Sequence, residues 1–97
     1  MTLDVVRTPV FERWLARLSD NRARAVIAQR ITRLADGQLG DFRSVGGGVS
    51  ELRIDYGPGY RLYFTRRGQD LIVLLCGGDK SSQVRDIGRA RAFAEEF

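Results

Sequence analysis

The feature that most constrains the fold of this chain is a change in the spacing of its apolar residues near the middle. From residue 11 to residue 34, apolar side chains recur every three or four positions, which is typical of helices that bury one face. From residue 49 to residue 66 they recur at every second position, which is typical of strands with one buried face. This change predicts an α+β fold in which a pair of helices covers an antiparallel sheet.

The first half of the chain predicts one short strand and two helices. Residues 2–7 alternate in polarity, as a strand does, and Thr8-Pro9 favours a helix start because threonine can cap and proline suits the first helical position. The apolar stripe of the first helix is Phe11, Trp14, Leu15 and Leu18. The stripe of the second is Ala23, Val26, Ile27, Ile31 and Leu34. Because only a residue or two separates the helices, we expect an antiparallel hairpin.

The second half predicts a β-meander and a last helix. Residues 37–48 are rich in glycine and lack periodicity, so we expect a loop there. Strands are expected over 49–56, 60–66 and 70–76, and the opening strand must join an edge of this sheet or pair within it. Helical spacing returns in the final segment at Val84, Ile87, Ala90, Ala94 and Phe97. The expected order is β-α-α-β-β-β-α, with the helical hairpin on one face of the sheet.

Length and composition exclude several classes of protein. A chain of 97 residues predicts a single domain, 1–97. With no histidine and one cysteine, zinc sites of the Cys/His type, Ser-His-Asp triads, Cys-His dyads and an internal disulfide are excluded. No apolar run approaches the ~18 residues of a membrane span, and the N-terminus lacks a signal pattern. We therefore expect a cytoplasmic protein with no membrane partner.

The alternation in the two middle strands gathers a small basic patch on one sheet face. Arg53 and Asp55 share that face with Arg61 and Tyr63, and we expect it to point away from the helical hairpin. If the hairpin is centred on Pro58, Arg53 faces Tyr63 and Asp55 faces Arg61, with Cβ atoms about 5 Å apart. One interpretation is an exposed face with ordinary ion pairs. The other is a phosphate-binding surface, because guanidinium groups bind phosphate and aromatic rings stack on unpaired bases.

The segment 77–83, GGDKSSQ, follows the last expected strand and contains the only lysine among 16 basic residues. One interpretation is an ordinary glycine-rich connection with a serine cap. The other is functional, because Lys80 stands beside Asp79 at a helix N-terminus, which favours anions.

Long runs of the sequence resemble a known family of toxins. The resemblance lies in the runs FERWLARLSD, RAVIAQRITRLADGQLGDFRSVGGGVSELRIDYGPGYRLYF and LIVLLCGGDKSSQVRDI. They are similar to the "addiction module killer protein" group, the HigB-like toxins of the RelE/ParE superfamily. The resemblance covers about the whole chain, and GVSELRIDYGPGYRLYF followed by LLCGGDKSSQ is specific to that group. It implies a type II toxin with the order β-α-α-β-β-β-α.

The resemblance also implies particular site residues. The arginine of the family's Gly-Tyr-Arg element is Arg61, and its counterpart in RelE-like enzymes contacts the scissile phosphate. Arg53 corresponds to the basic residue of the preceding strand, and Lys80 to the basic residue after the last strand. Two features of related enzymes are missing, because 84–86 contains no tyrosine and the chain has no histidine.

For the RelE and HigB members, the implied activity is cleavage of mRNA in the ribosomal A site, without a metal or other cofactor. The 2′-hydroxyl would attack the adjacent phosphorus, and arginines would stabilise the charge that develops there. Arginine is a poor base, since its pKa lies above about 12. The candidates for the general base are Lys80, Tyr63, Asp79 and Asp55. The predicted RNA-binding residues are Arg53, Arg61, Lys80 and Gln83.

Two other functions stay open from the sequence. A ParE-like protein would inhibit DNA gyrase without cutting anything, and a degenerate toxin would only bind its antitoxin. The resemblance implies a small helix-turn-helix antitoxin, HigA-like, through which alone the system would contact operator DNA. The antitoxin would cover either the basic patch or the groove beside the C-terminal helix.

Overall fold

The two predicted helices begin directly after residues whose side chains cap them. The computed structural model describes residues 2–97 and places α1 at Pro9–Arg17 and α2 at Asn21–Ala35. Thr8 Oγ1 accepts a hydrogen bond from the Phe11 amide at 3.1 Å. Asp20 Oδ1 accepts from the amides of the second and third residues of α2, at 2.9 and 3.2 Å. These caps satisfy amides that have no partner within the helix.

A five-stranded sheet follows the order β1-β5-β4-β3-β2. The strands are β1 (Asp4–Arg7), β2 (Phe42–Gly46), β3 (Val49–Ile54), β4 (Tyr60–Arg67) and β5 (Leu71–Gly78). The opening strand lies at an edge, parallel to β5, and all other pairs are antiparallel. After β5, a 3₁₀ turn at Lys80–Ser82 leads into α3 (Gln83–Ala94). The α+β class is therefore confirmed, with one more strand than expected.

The additional strand is β2, which lies inside the segment expected to be a loop. It pairs with β3 through partners such as Arg43 and Glu51, and a bulge follows Ser44. Because β2 is an edge strand with mostly exposed side chains, it lacks the apolar alternation that would reveal it. The expectation of a loop over 37–48 is wrong for this part of the chain.

The hairpin of β3 and β4 has a different register from the one expected. Arg53 pairs with Arg61, and Glu51 pairs with Tyr63. The reason is that β3 ends at Ile54, so the turn is centred on residue 57 and not on residue 58. A shift of two residues between partners leaves each side chain on its own face. Arg53, Arg61 and Tyr63 therefore share a face, as predicted.

Helices cover both faces of the sheet. Residues of α1 and α2 pack on the predicted apolar residues, among them Leu52, Leu62 and Phe64. The other face lies away from α1 and α2, as expected, but α3 covers part of it, so the interpretation of an exposed face is wrong there. The second core contains Tyr63, Val73, Leu75, Ala90 and Ala94. Within the range 2–97, each helix is too short or too polar to cross a lipid bilayer.

Candidate active site

Three basic residues meet in an open cleft of about 500 Å³. They are Arg53 at the end of β3, Arg61 at the start of β4, and Lys80 after β5. The turn 57–59 closes one side, and the Lys80 amide donates a hydrogen bond to its Pro58 carbonyl at 3.4 Å. Gly59 adopts φ +78° within van der Waals reach of Arg61 and Lys80, so glycine suits this position. The chain thus brings together the three cations named by its sequence.

The guanidinium of Arg61 is held firmly beneath the cleft. Its side chain is only 6% exposed, and Nη1 donates to the carbonyls of Gly59 at 3.1 Å and Tyr60 at 3.3 Å. Its Nε lies 3.8 Å from Glu51 Oε1 and has no hydrogen-bond partner among residues 2–97. Such anchoring fixes the direction of the guanidinium before any ligand arrives.

Glu51, which was not among the predicted site residues, stands at the centre of these contacts. Its fully buried carboxylate accepts hydrogen bonds from Arg43 Nε at 3.1 Å, Tyr63 Oη at 3.2 Å and Gln83 Nε2 at 2.7 Å. Burial alone would raise the pKa of Glu51, but the bonds from Gln83 and Arg43, the charge of Arg43 and the bond from Tyr63 leave that pKa below its ordinary value of 4.5. Glu51 is therefore a buried anion.

Two of the predicted site residues contact Glu51 and do not line the cleft. Tyr63 is fully buried, and burial together with the charge of Glu51 raises its pKa well above the ordinary value of 10. Its hydroxyl therefore stays protonated at neutral pH. Gln83, at the start of α3, donates a hydrogen bond from its side-chain amide to the same carboxylate. In this geometry both residues support the site from behind.

Asp79 orients the segment that carries Lys80. Its Oδ1 accepts from the Ser81 amide at 2.9 Å and from the Ser81 hydroxyl at 2.5 Å, and these bonds lower the pKa of Asp79. Ser82 Oγ accepts from the Asp79 amide and donates to the buried carboxylate of Asp86 at 2.5 Å. Asp79 does not line the cleft, whereas Lys80 is exposed and does.

The cleft also holds two carboxylates, Asp41 and Asp55. Asp55 was a predicted base candidate, and Asp41 was not predicted because it lies in the segment taken as a loop. No group of three or more His, Cys, Asp or Glu side chains within residues 2–97 is placed to hold a metal ion. Chemically, the cleft can bind an anion through two guanidinium groups and an ammonium group, with a carboxylate close by.

Comparison with known proteins identifies the family to which this chain belongs. Residues 13–92 match the model of the family described as "Phage derived protein Gp49-like (DUF891)". The chain is 48% identical over 97 residues to an uncharacterized protein of Haemophilus influenzae, covering 100% of this chain and 98% of that relative. A solved structure of an E. coli toxin RelE mutant in the free state superposes with a TM-score of 0.75 at 9% identity, over 95% of this chain and 96% of that one. The chain therefore belongs to the Gp49-like family of phage-derived proteins, a RelE/HigB-type toxin family, and its RelE-type fold is confirmed.

Proposed function

We propose that this toxin of a toxin–antitoxin system cleaves mRNA on the ribosome. The observation that carries the proposal is the meeting of Arg53, Arg61 and Lys80 in one cleft. Two guanidinium groups and one ammonium group suit a phosphodiester, because guanidinium forks match phosphate oxygens and the ammonium adds a compact charge. The ribosome as target implies a cytoplasmic location.

The proposed reaction is an internal transfer at phosphorus. The 2′-hydroxyl oxygen forms a bond to the adjacent phosphorus while the bond from phosphorus to the 5′-oxygen breaks, which yields a 2′,3′-cyclic phosphate and a free 5′-hydroxyl. The carboxylate of Asp55 accepts the proton of the 2′-hydroxyl, and the ammonium of Lys80 gives a proton to the leaving oxygen. Arg53 and Arg61 stabilise the charge on the pentacoordinate phosphorus, where fixed cations act most strongly.

Glu51 has the role of a positioning residue in this proposal. Its carboxylate faces the Nε of Arg61 from within the sheet, and Arg61 also lines the cleft. Tyr63 and Gln83 fix Glu51 in turn. We assign these two residues to the support of Arg61 and not to proton transfer.

Membership of a RelE/HigB-type toxin family implies an antitoxin partner. We propose that the antitoxin is a small helix-turn-helix protein of the HigA-like kind, and that operator DNA is bound only through it. An antitoxin that covers the cleft would block the reaction by excluding the RNA.

A second candidate function is inhibition of DNA gyrase without catalysis, as in the ParE branch. The observation in its favour is that the charge of Arg61 is already paired with the buried Glu51. A paired cation attracts phosphate less strongly than a free one.

The experiment that separates these functions uses the purified protein with two targets. We expect it to cut mRNA on programmed ribosomes, leaving 2′,3′-cyclic phosphate ends, and to leave gyrase supercoiling unchanged. Inhibition of gyrase with intact mRNA would establish the second function. A protein inactive in both assays, and harmless to bacteria that lack the antitoxin, would be a degenerate toxin.

A further inference from the structure

A second groove, separate from the cleft, lies between α1 and α3 at the C-terminal end of β5. Near the 3₁₀ turn it has a volume of about 290 Å³, and farther along α1 it continues as a space of about 250 Å³. The two parts share Trp14, Gly77 and Arg89 in their walls. A side chain at Gly77 would overlap the Trp14 ring, so the glycine allows the indole to pack directly against the end of the strand.

Two pairs of arginines face this groove from its two sides. Arg13 and Arg17 stand four residues apart on α1, and both are exposed. Arg85 and Arg89 have the same spacing on α3, with side chains 72% and 45% exposed. Side chains at this spacing lie on one helix face. The groove is therefore lined by two short rows of cations.

The acidic residues of the groove offset only part of this charge. Asp86 is buried, 3.8 Å from Arg85 Nε and 3.7 Å from Arg89 Nη1, and Ser82 also binds it. Asp79 lies at the end nearest the 3₁₀ turn. Four arginines against two carboxylates leave an excess of positive charge.

The groove and the cleft form one continuous surface. Between them lies a shallow depression over residues 80–85. Lys80 belongs to the cleft and to this depression, and Ser81, Ser82 and Arg85 belong to the depression and to the groove. A strand leaving the cleft past Lys80 therefore meets Arg85 first and the arginines of α1 afterwards.

We infer that this groove binds backbone phosphates of the same RNA strand whose scissile phosphate lies in the cleft. The inference rests on the proposed function, because it takes single-stranded RNA as the occupant of the cleft. Sites for single-stranded nucleic acid combine a cationic track with an aromatic surface. Trp14 is the aromatic residue of this groove, half-buried and packed against Phe11 and Tyr60. Near the 3₁₀ turn the walls are mainly charged and polar, and along α1 the apolar Val10 and Trp14 lie among arginines. A helix of a protein partner would need a continuous apolar stripe, which walls of this mixed kind do not offer.

The test measures how the affinity for RNA depends on RNA length. The probes are two 2′-O-methylated single strands that cannot be cut, one of about four nucleotides and one of about twelve. The wild-type protein should bind the longer strand more tightly. The double variant R13Q/R17Q should bind the short strand as before and lose this gain, and the slope of log K against log salt should fall by about 1.4, or about 0.7 per lost phosphate contact.

A matched control removes two positive charges elsewhere. Arg33 on α2 and Arg66 near the far end of β4 are exposed and line neither the cleft nor the groove. The variant R33Q/R66Q should keep the length-dependent gain. Equal losses in the two double variants would overturn the inference, since only net charge would then matter.

Two further results would also overturn it. If R13Q/R17Q binds free RNA normally but loses affinity for ribosomes that carry no mRNA, the groove binds ribosomal RNA. If only the complex with the antitoxin is weakened, the groove binds protein. The outcome stays separable from the proposed function, because this assay involves no cleavage. If wild-type protein binds the longer strand more tightly but does not cut mRNA on ribosomes, only the proposed reaction is contradicted. If it cuts mRNA but shows no gain in affinity with RNA length, only the proposal for the groove is contradicted.

Discussion

Glu51 Oε1 and Arg61 Nε lie 3.8 Å apart, with both side chains almost completely out of water. Neither charge would be stable there alone, because an isolated ion in the interior costs several kcal/mol. The pair therefore fixes the position of a guanidinium whose other side lines the cleft. In the proposed reaction, the orientation of Arg61 is set by the fold and does not depend on the RNA.

Glu51→Gln tests this pairing through stability. We expect the free energy of unfolding to fall by about 2 kcal/mol, because Arg43 loses a charged hydrogen-bond acceptor and the buried Arg61 loses the opposite charge beside it. Urea unfolding followed by circular dichroism measures the change. Glu12→Gln is the matched control, since Glu12 is 54% exposed and 3.9 Å from Arg7, and it should change stability by less than about 0.5 kcal/mol. Equal effects of the two substitutions would contradict the role of Glu51.

The lowered pKa of Glu51 predicts the pH range in which this stability is lost. Since the folded pKa lies below the ordinary 4.5, the unfolded chain binds more protons at acid pH, and stability rises with pH there. The contribution of Glu51 is fully present above about pH 4.5 and declines as the pH falls through the folded value. Unfolding free energies of wild type and Glu51→Gln should thus converge below pH 4.5. Asp79, whose pKa is also lowered, is common to both proteins and cancels in the difference.

Gly78→Ala tests how tightly the end of β5 packs against α3. A Cβ at this position would overlap Asp86 Oδ2 and approach Ser82 Oγ to 2.8 Å. We expect a loss of about 2 kcal/mol, because the buried carboxylate of Asp86 must move to relieve the overlap. A Cβ at Gly88, inside α3, would meet no atom of residues 2–97 within 4 Å, so Gly88→Ala should instead stabilise the protein by about 0.5–1 kcal/mol. Thermal unfolding compares them, and tolerance of alanine at 78 would contradict this packing.

Tyr63→Phe separates a supporting role from a catalytic one. The substitution removes the hydroxyl that donates to Glu51 at 3.2 Å and keeps the buried ring. We expect a loss of about 1 kcal/mol in stability, with cleavage of ribosome-bound mRNA close to the wild-type rate. A fall in rate of about 100-fold or more, at a temperature where the variant is folded, would instead make Tyr63 a proton-transfer group.

Much of the fold could be predicted because local signals and tertiary packing agree. The caps at Thr8 and Asp20 and the apolar stripes of α1 and α2 are properties of short segments, and the structure keeps them. The edge strand β2 could not be found this way, because its exposed side chains carry no alternation. The hairpin register depended on the centre of the turn, which two glycines flanking Pro58 leave open.

The basic residues of the candidate site could be predicted from the sequence, but the buried residues that hold Arg61 in place could not. Sequence pattern and resemblance named Arg53, Arg61 and Lys80, which the fold brings to one cleft. Nothing in the alternation indicated that α3 would cover the face of Glu51, since a glutamate beside arginines on a strand is typical of an exposed ion pair. That burial turns Glu51 into an anchor and directs Gln83 toward it.

The single-turnover rate of mRNA cleavage on programmed ribosomes by Lys80→Ala tests the central claim most directly. Lys80 is exposed, and within residues 2–97 its side chain takes part in no hydrogen bond or ion pair, so the variant should fold like the wild type. We predict a rate lower by about 100-fold or more, because the leaving oxygen loses its proton donor, while the control Arg66→Ala keeps the wild-type rate. Cleavage by Lys80→Ala at the wild-type rate would contradict the assignment of this cleft as the active site.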